Sequence, residues 1–157
     1  MGFIQDKSRG KLGESLVKAY FTQEGYEIED KSEDELFQID DVDLVVADSI
    51  KYEVKTDYKF SRTGNFALED SYTEYAGKAK SWLWTSKADR FAFVDAHNTE
   101  EFYCIDASTL RDLVRLEHLP QATHDDGYKI VYLYLLPFGQ YKDLFETCTL
   151  EGGAVDG

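Results

Sequence analysis

Residues 42–57 read VDLVVADSIKYEVKTD, and the fold turns on how this stretch pairs with itself. Two apolar-alternating runs, 42–47 and 50–57, flank Asp48-Ser49, which predicts a β-hairpin with a tight connection there. On the second arm Lys51, Glu53, Lys55 and Asp57 share one face, and Tyr52, Val54 and Thr56 the other. Antiparallel pairing sets Asp43 opposite residue 54, within a slip of one, and so near Glu53 and Lys55. Two carboxylates ~4–5 Å apart repel, and burying them uncompensated costs several kcal/mol. Lys55 offsets one charge, whereas a divalent cation offsets both. Mg²⁺ takes one or two carboxylates and completes its shell with water and phosphate oxygens. The plainer reading makes Glu53 and Lys55 a solvated strand face, a pair worth a fraction of a kcal/mol. Asp40 and Asp41 are alternatives to Asp43 as the acid.

Upstream, Leu12, Leu16, Ala19 and Tyr20 recur at helical spacing, with Ser8 as candidate N-cap and Gly25 where a C′ glycine belongs. YEIED (26–30) reads as a short strand and KSEDELFQID (31–40) as an acidic loop. Downstream, a turn at Thr63-Gly64 precedes a short strand, and YTEYAGKAKSWLWTSKAD (72–89) is expected to be helical in part. RFAFVDA (90–96) and EFYCID (101–106) form a second hairpin, and Asp106 or Ser108 caps a helix over 108–117. YKIVYLYLLPF (128–138) is a strand stopped by Pro137, with Tyr132 and Tyr134 belonging to a sheet, and YKDLFE (141–146) a helical turn or two. This mixed order predicts an α/β or α+β fold, a mixed central sheet flanked by helices, in one domain over residues 1–150. EGGAVDG (151–157) is expected to be a disordered tail.

Asp43 followed after nine residues by Glu53-Val54-Lys55 resembles the D…(D/E)-x-K signature of the PD-(D/E)XK nuclease superfamily, which includes restriction endonucleases and archaeal Holliday-junction resolvases. KLGESLVKAYFTQEGYEI (11–28) resembles the first helix of that superfamily, with its acid at Glu14. Val42 stands where the family often carries proline. TGNFALE (63–69) and TSKADRFAFVD (85–95) are similar to segments of small phage and bacterial members in which the Asn and Glu line the site. The resemblance implies a restriction-endonuclease-like core of αβββαβ order. It implies Mg²⁺, with Mn²⁺ able to substitute, held by Asp43 and Glu53. Glu14 would orient metal or water, and Lys55 would be the catalytic lysine. The expected activity is hydrolysis of DNA phosphodiester bonds, in recombination or repair. So short a chain leaves no room for a separate recognition domain, so selectivity for junctions, flaps or single strands is expected, or action within a larger nucleic-acid-processing complex. The resolvases imply a homodimer.

The net charge of −14 is the wrong sign for a nucleic-acid binder. Its distribution softens that objection: residues 1–50 carry 5 basic and 13 acidic side chains, residues 51–97 carry 8 and 7, and residues 98–157 carry 4 and 11. Within the balanced middle, Lys59, Arg62, Lys78, Lys80, Lys87 and Arg90 could hold phosphates, and Asn65 and Glu69 could flank them. Trp82 and Trp84 could stack on unpaired bases, although core placement is the more ordinary fate. The same acidity supports two rivals: a DNA mimic that fills a basic groove on a nucleic-acid enzyme, or a nuclease fold that has lost catalysis. Cys104 and Cys148 form no CxxC and the three histidines no HxxxH, so zinc has little support and two buried thiols are expected. No apolar run approaches the ~20 residues of a membrane helix and the start lacks a signal-peptide h-region, which predicts a cytoplasmic protein.

Overall fold

A computed structural model describes residues 3–75 and 77–151, residues 3–9 through their backbone alone. The chain is mixed α/β, with a six-stranded mixed sheet, a second antiparallel sheet of four strands, and flanking helices. The larger sheet runs β1 (Ile28–Asp30), β2 (Leu44–Val46), β3 (Ile50–Asp57), β6 (Arg90–Asp95), β7 (Glu101–Asp106) and β10 (Glu146–Thr149). Its neighbours are antiparallel except β3 and β6, which pair in parallel with Glu53 beside Phe91 and Lys55 beside Phe93. A parallel pair needs a long crossover. Here that crossover carries α3 (Phe60–Thr63), β4 (Asn65–Glu74), β5 (Gly77–Lys80) and α4 (Trp82–Thr85). The smaller sheet orders β5-β4-β9-β8, with β8 at Gln121–Asp125 and β9 at Ile130–Pro137.

The period-two pattern of β6 and β7 explains why the large sheet is covered on both faces. Ala92, Val94, Phe102 and Cys104 pack with Tyr52 and Val54 against Leu16, Val17 and Phe21 of α1 (Phe3–Gln23). Phe91, Phe93, Tyr103 and Ile105 face the other way, onto Phe66, Leu68 and Leu136 of the small sheet and Leu110, Leu113 and Val114 of α5 (Ala107–Leu116). The charged face of β3 therefore points into the apolar layer between the sheets.

Helix α1 starts before Ser8, which lies inside it rather than capping it. Its buried stripe is Gly13, Leu16, Val17 and Phe21, rotated from the expected Leu12, Leu16, Ala19 and Tyr20. Gly13 is the reason: a Cβ there would overlap Thr56 Oγ1 and touch Val54 Cγ1, so the helix lies on β3 closely enough that only glycine fits. Gly13→Ala is expected to destabilise the protein by about 1–3 kcal/mol, as overpacking does, despite the better helix propensity of alanine. Chemical denaturation checks this. The helix ends as expected: Gly25 has φ +87°, Gly25 N–H donates to Thr22 O, Tyr26 N–H donates to Phe21 O, and the Tyr26 ring meets Phe21.

Other expectations are corrected. The acidic segment 31–40 contains α2 (Glu35–Ile39), because the Asp34 carboxylate accepts from Leu36 N–H and caps it. The β2–β3 connection spans Ala47, Asp48 and Ser49, with φ of 54° at Ala47 and 63° at Asp48, so two left-handed residues replace the tight Asp48-Ser49 turn. The segment 72–89 is helical in part, as expected, over Trp82–Thr85, but its first half is strand: β4 continues to Glu74 and β5 pairs back on it. Asp106 occupies the N-cap of α5, but its carboxylate takes Arg90 Nε at 3.0 Å instead of a helix N–H. The segment 141–146 is helical over a turn or so, as expected: it holds the end of α6 (Phe138–Tyr141) and a 3₁₀ turn (Lys142–Leu144). Cys104 and Cys148 are free and buried, as expected. Among the described residues no helix is long and apolar enough to cross a membrane. Of the expected tail 151–157, residues 152–157 lie outside the described residues.

Candidate active site

The hairpin brings Asp43 to Glu53. Leu44 faces Tyr52 in the ladder, and Asp43, one residue earlier, donates its N–H to Tyr52 O at 2.9 Å while its Oδ2 accepts from Val54 N–H at 2.8 Å. Those two bonds bracket Glu53 and hold the Asp43 carboxylate against β3. Burial raises the proton affinity of Asp43; the Val54 N–H and Lys55 oppose that, and Asp41 and Asp30 reinforce it.

Glu53 is only 5% exposed. Burial pushes its pKa up to about 8, with Lys55 opposing and Asp43 and Asp41 adding to the rise. Its Oε1 lies 3.2 Å from Lys55 Nζ, and its Oε2 is buried with no hydrogen-bond partner. An orphaned buried acceptor costs about 1–3 kcal/mol, more if charged. Burial works to lower the Lys55 pKa, but Glu53, Glu69 and Asp43 outweigh it and hold the ammonium charged. Lys55 Nζ also sits 4.6 Å from the centre of the Trp82 ring, a cation–π contact that fixes its direction.

The remaining candidates divide. Glu14 approaches from α1: burial raises its pKa to about 7, with the charges of Asp43 and Asp30 adding to it and the Ser32 hydroxyl and Lys18 opposing. It is electrostatically tied to Asp43 while Lys18 is paired with Asp30 at 2.9 Å. Lys59, Asn65 and Glu69 line a cleft with Lys55. Arg62, on exposed α3, is not part of that lining. Lys87 is exposed beyond α4, its N–H bonded to Asp40 O. Arg90 is structural, bonded to Tyr52 Oη at 2.9 Å and paired with Asp106 and Glu146. Lys78 covers the Tyr132 ring at 3.7 Å. Trp82 is buried core, and Trp84 donates its indole N–H to Asp70 at 2.7 Å, so neither indole is a free stacking platform.

Sequence reasoning missed three members of this neighbourhood. Asp30 acts on both Glu14 and Asp43, Ser81 donates its hydroxyl to Glu69 Oε2 at 2.9 Å, and Trp82 steers Lys55 rather than a base. Each is joined to the motif only by tertiary folding, and no local spacing signals it.

Among the described residues no group of three or more His, Cys, Asp and Glu side chains is gathered as a metal cage. The donors that fit a hard cation are the pair Asp43 and Glu53, through the orphaned Oε2. One or two carboxylates, with water and substrate oxygens, is the ordinary protein share of a Mg²⁺ shell. Protein-family models, curated proteins and solved structures were all compared with this chain, and none matches. The functional reading rests on the chemistry of the site.

Proposed function

We propose that this chain is a divalent-metal-dependent nuclease with a restriction-endonuclease-like core of the PD-(D/E)XK type, hydrolysing DNA phosphodiester bonds. The observation that carries this reading is the hairpin constellation: Asp43 pinned at the level of Glu53, one Glu53 oxygen on Lys55, the other buried and bare. A bound Mg²⁺ or Mn²⁺ would supply Lewis acidity toward a phosphate oxygen and neutralise developing charge. Asp43 and Glu53 would hold it, Glu53 giving up its proton as the cation binds. Lys55, charged and aimed by Trp82, donates to the attacking water or to the phosphate as negative charge builds, an interaction strengthened by the low-dielectric surroundings. Glu14, tied electrostatically to Asp43, orients from the far side. The parallel placement of β3 and β6 and the antiparallel β1–β2–β3 meander support the core assignment.

The test is cleavage of labelled single-stranded, duplex, flap and four-way-junction DNA at low salt, with Mg²⁺, with Mn²⁺ and with EDTA. Metal-dependent cutting of at least one substrate is expected. No cutting of any of them, together with stoichiometric capture of a basic nucleic-acid enzyme, would replace this reading with that of an acidic mimic, for which the charge of −14 is the favouring observation.

A further inference from the structure

A cleft of about 590 Å³ opens beside Lys55, between the C-terminal half of β3 and the small sheet. We propose that it holds an unpaired nucleotide, making single-stranded nucleic acid the substrate class; this rests on the nuclease reading of the adjoining site. The volume lies within the usual ~300–1,000 Å³ of a small-ligand pocket. It suits one or two nucleotides and is too small to take in a duplex. Two chemistries meet in it. Ala67, Leu133 and Leu135 provide apolar walls for the faces of bases, and Lys55 and Lys59 provide cationic groups for phosphates, with His124 beside them.

The two acids on the lining are already committed. Asp57 accepts from the N–H groups of Lys59, Phe60 and Ala67, and Glu69 accepts from Ser81. A base still paired in a duplex would have to leave its stack, at a cost of a few kcal/mol, before it could enter. Beyond His124 lies one end of the small sheet, where the pairing of Tyr72 with Val131 sets the β4–β5 and β8–β9 turns at the same end. These turns carry Tyr75 and Tyr128, which are 109% and 89% exposed. Both rings lie outside the cleft lining, at the end of the small sheet beyond it, where they would offer stacking platforms to the bases of a strand that runs past the cleft.

The experiment is fluorescence anisotropy of short oligo-dT, short oligo-rU and a blunt duplex of equal length, in EDTA, so that binding is read without cleavage. A single strand, of either sugar, is expected to bind at least about tenfold more tightly than the duplex. Ala122→Trp, which fills the cleft from β8, is expected to weaken single-strand binding about tenfold, and Tyr128→Ala about fivefold, the lower end of a stacking contribution. Lys59→Glu, on the exposed rim, should weaken it and reduce the salt dependence. Equal affinity for single strand and duplex would overturn the proposal, as would single-strand binding indifferent to all three substitutions. If Ala122→Trp fails to fold, the two surface variants decide. Cutting without single-strand preference would defeat this inference alone, and single-strand binding without any cutting would defeat the nuclease reading alone.

Discussion

Lys55→Met is expected to slow single-turnover cleavage by about 10²–10³-fold, the usual loss when one preorganised charge-stabilising donor is removed. Methionine keeps an unbranched stem against the Trp82 ring, so the core at that position stays filled and the fold should be retained, with a lower melting temperature because Glu53 Oε1 loses its partner. What disappears is the ammonium 3.2 Å from Glu53 Oε1. Two consequences follow. The developing charge on the phosphate loses its nearest protein cation. Glu53, already lifted to about 8 by burial, loses the one neighbour that holds it down and retains its proton more firmly, which weakens its hold on a divalent ion. Raising Mn²⁺ should therefore recover part of the loss but not all of it. A variant that cuts at the wild-type rate would remove Lys55 from the chemistry.

The second large effect is on stability. In the unfolded chain Glu53 titrates at its ordinary 4.5, and in the folded protein at about 8. A carboxyl whose folded pKa is raised favours folding when protonated. Its stability is therefore fully present below pH 4.5, is lost as pH rises toward 8, and stays lost above. For an isolated group that shift is worth about 5 kcal/mol. The groups facing Glu53 are Lys55, Asp43 and Asp41, with Glu69 also acting on Lys55. Because neutralising Glu53 also strips Lys55 of its partner, the net gain is smaller. Glu53→Gln is expected to stabilise the metal-free protein by about 2–3 kcal/mol at pH 9 and by almost nothing at pH 4.5. Urea denaturation in EDTA across that range reads the slope. Parallel wild-type and variant curves would mean that Glu53 is not a strained, buried acid.

The legible parts of this fold are those where one strand or helix buries a face of its own. The β6–β7 hairpin shows in RFAFVD and EFYCID because both faces are covered and the turn is local. The β3 face shows because charged residues at 51, 53, 55 and 57 alternate with Tyr52, Val54 and Thr56. What stayed hidden are the edge strands and irregular turns of both sheets. Strand β8, QATHD, is an edge strand exposed along most of its length, so no apolar period marks it. Strand β10, ETCT, buries only Cys148. The β4–β5 hairpin hides in a stretch whose Ala, Lys and Trp composition favours helix equally well, and its pairing with β9 overrides that preference. The turn at Ala47 puts alanine where glycine or asparagine would have announced it. The hairpin motif fixed the acids to within a residue, but the Trp82 ring over Lys55, the Ser81 bond to Glu69 and the Asp30 charge beside Asp43 belong to tertiary packing.

The most direct measurement is a Mn²⁺ titration followed by electron paramagnetic resonance on the wild type, Asp43→Asn and Glu53→Gln proteins, each of verified fold. The account predicts Mn²⁺ binding by the wild type, competed by Mg²⁺ and weakened at least about tenfold in either variant, the scale on which losing a carboxylate ligand acts. Equal binding by all three proteins would place any cation elsewhere and contradict the assignment of Asp43 and Glu53 as its ligands.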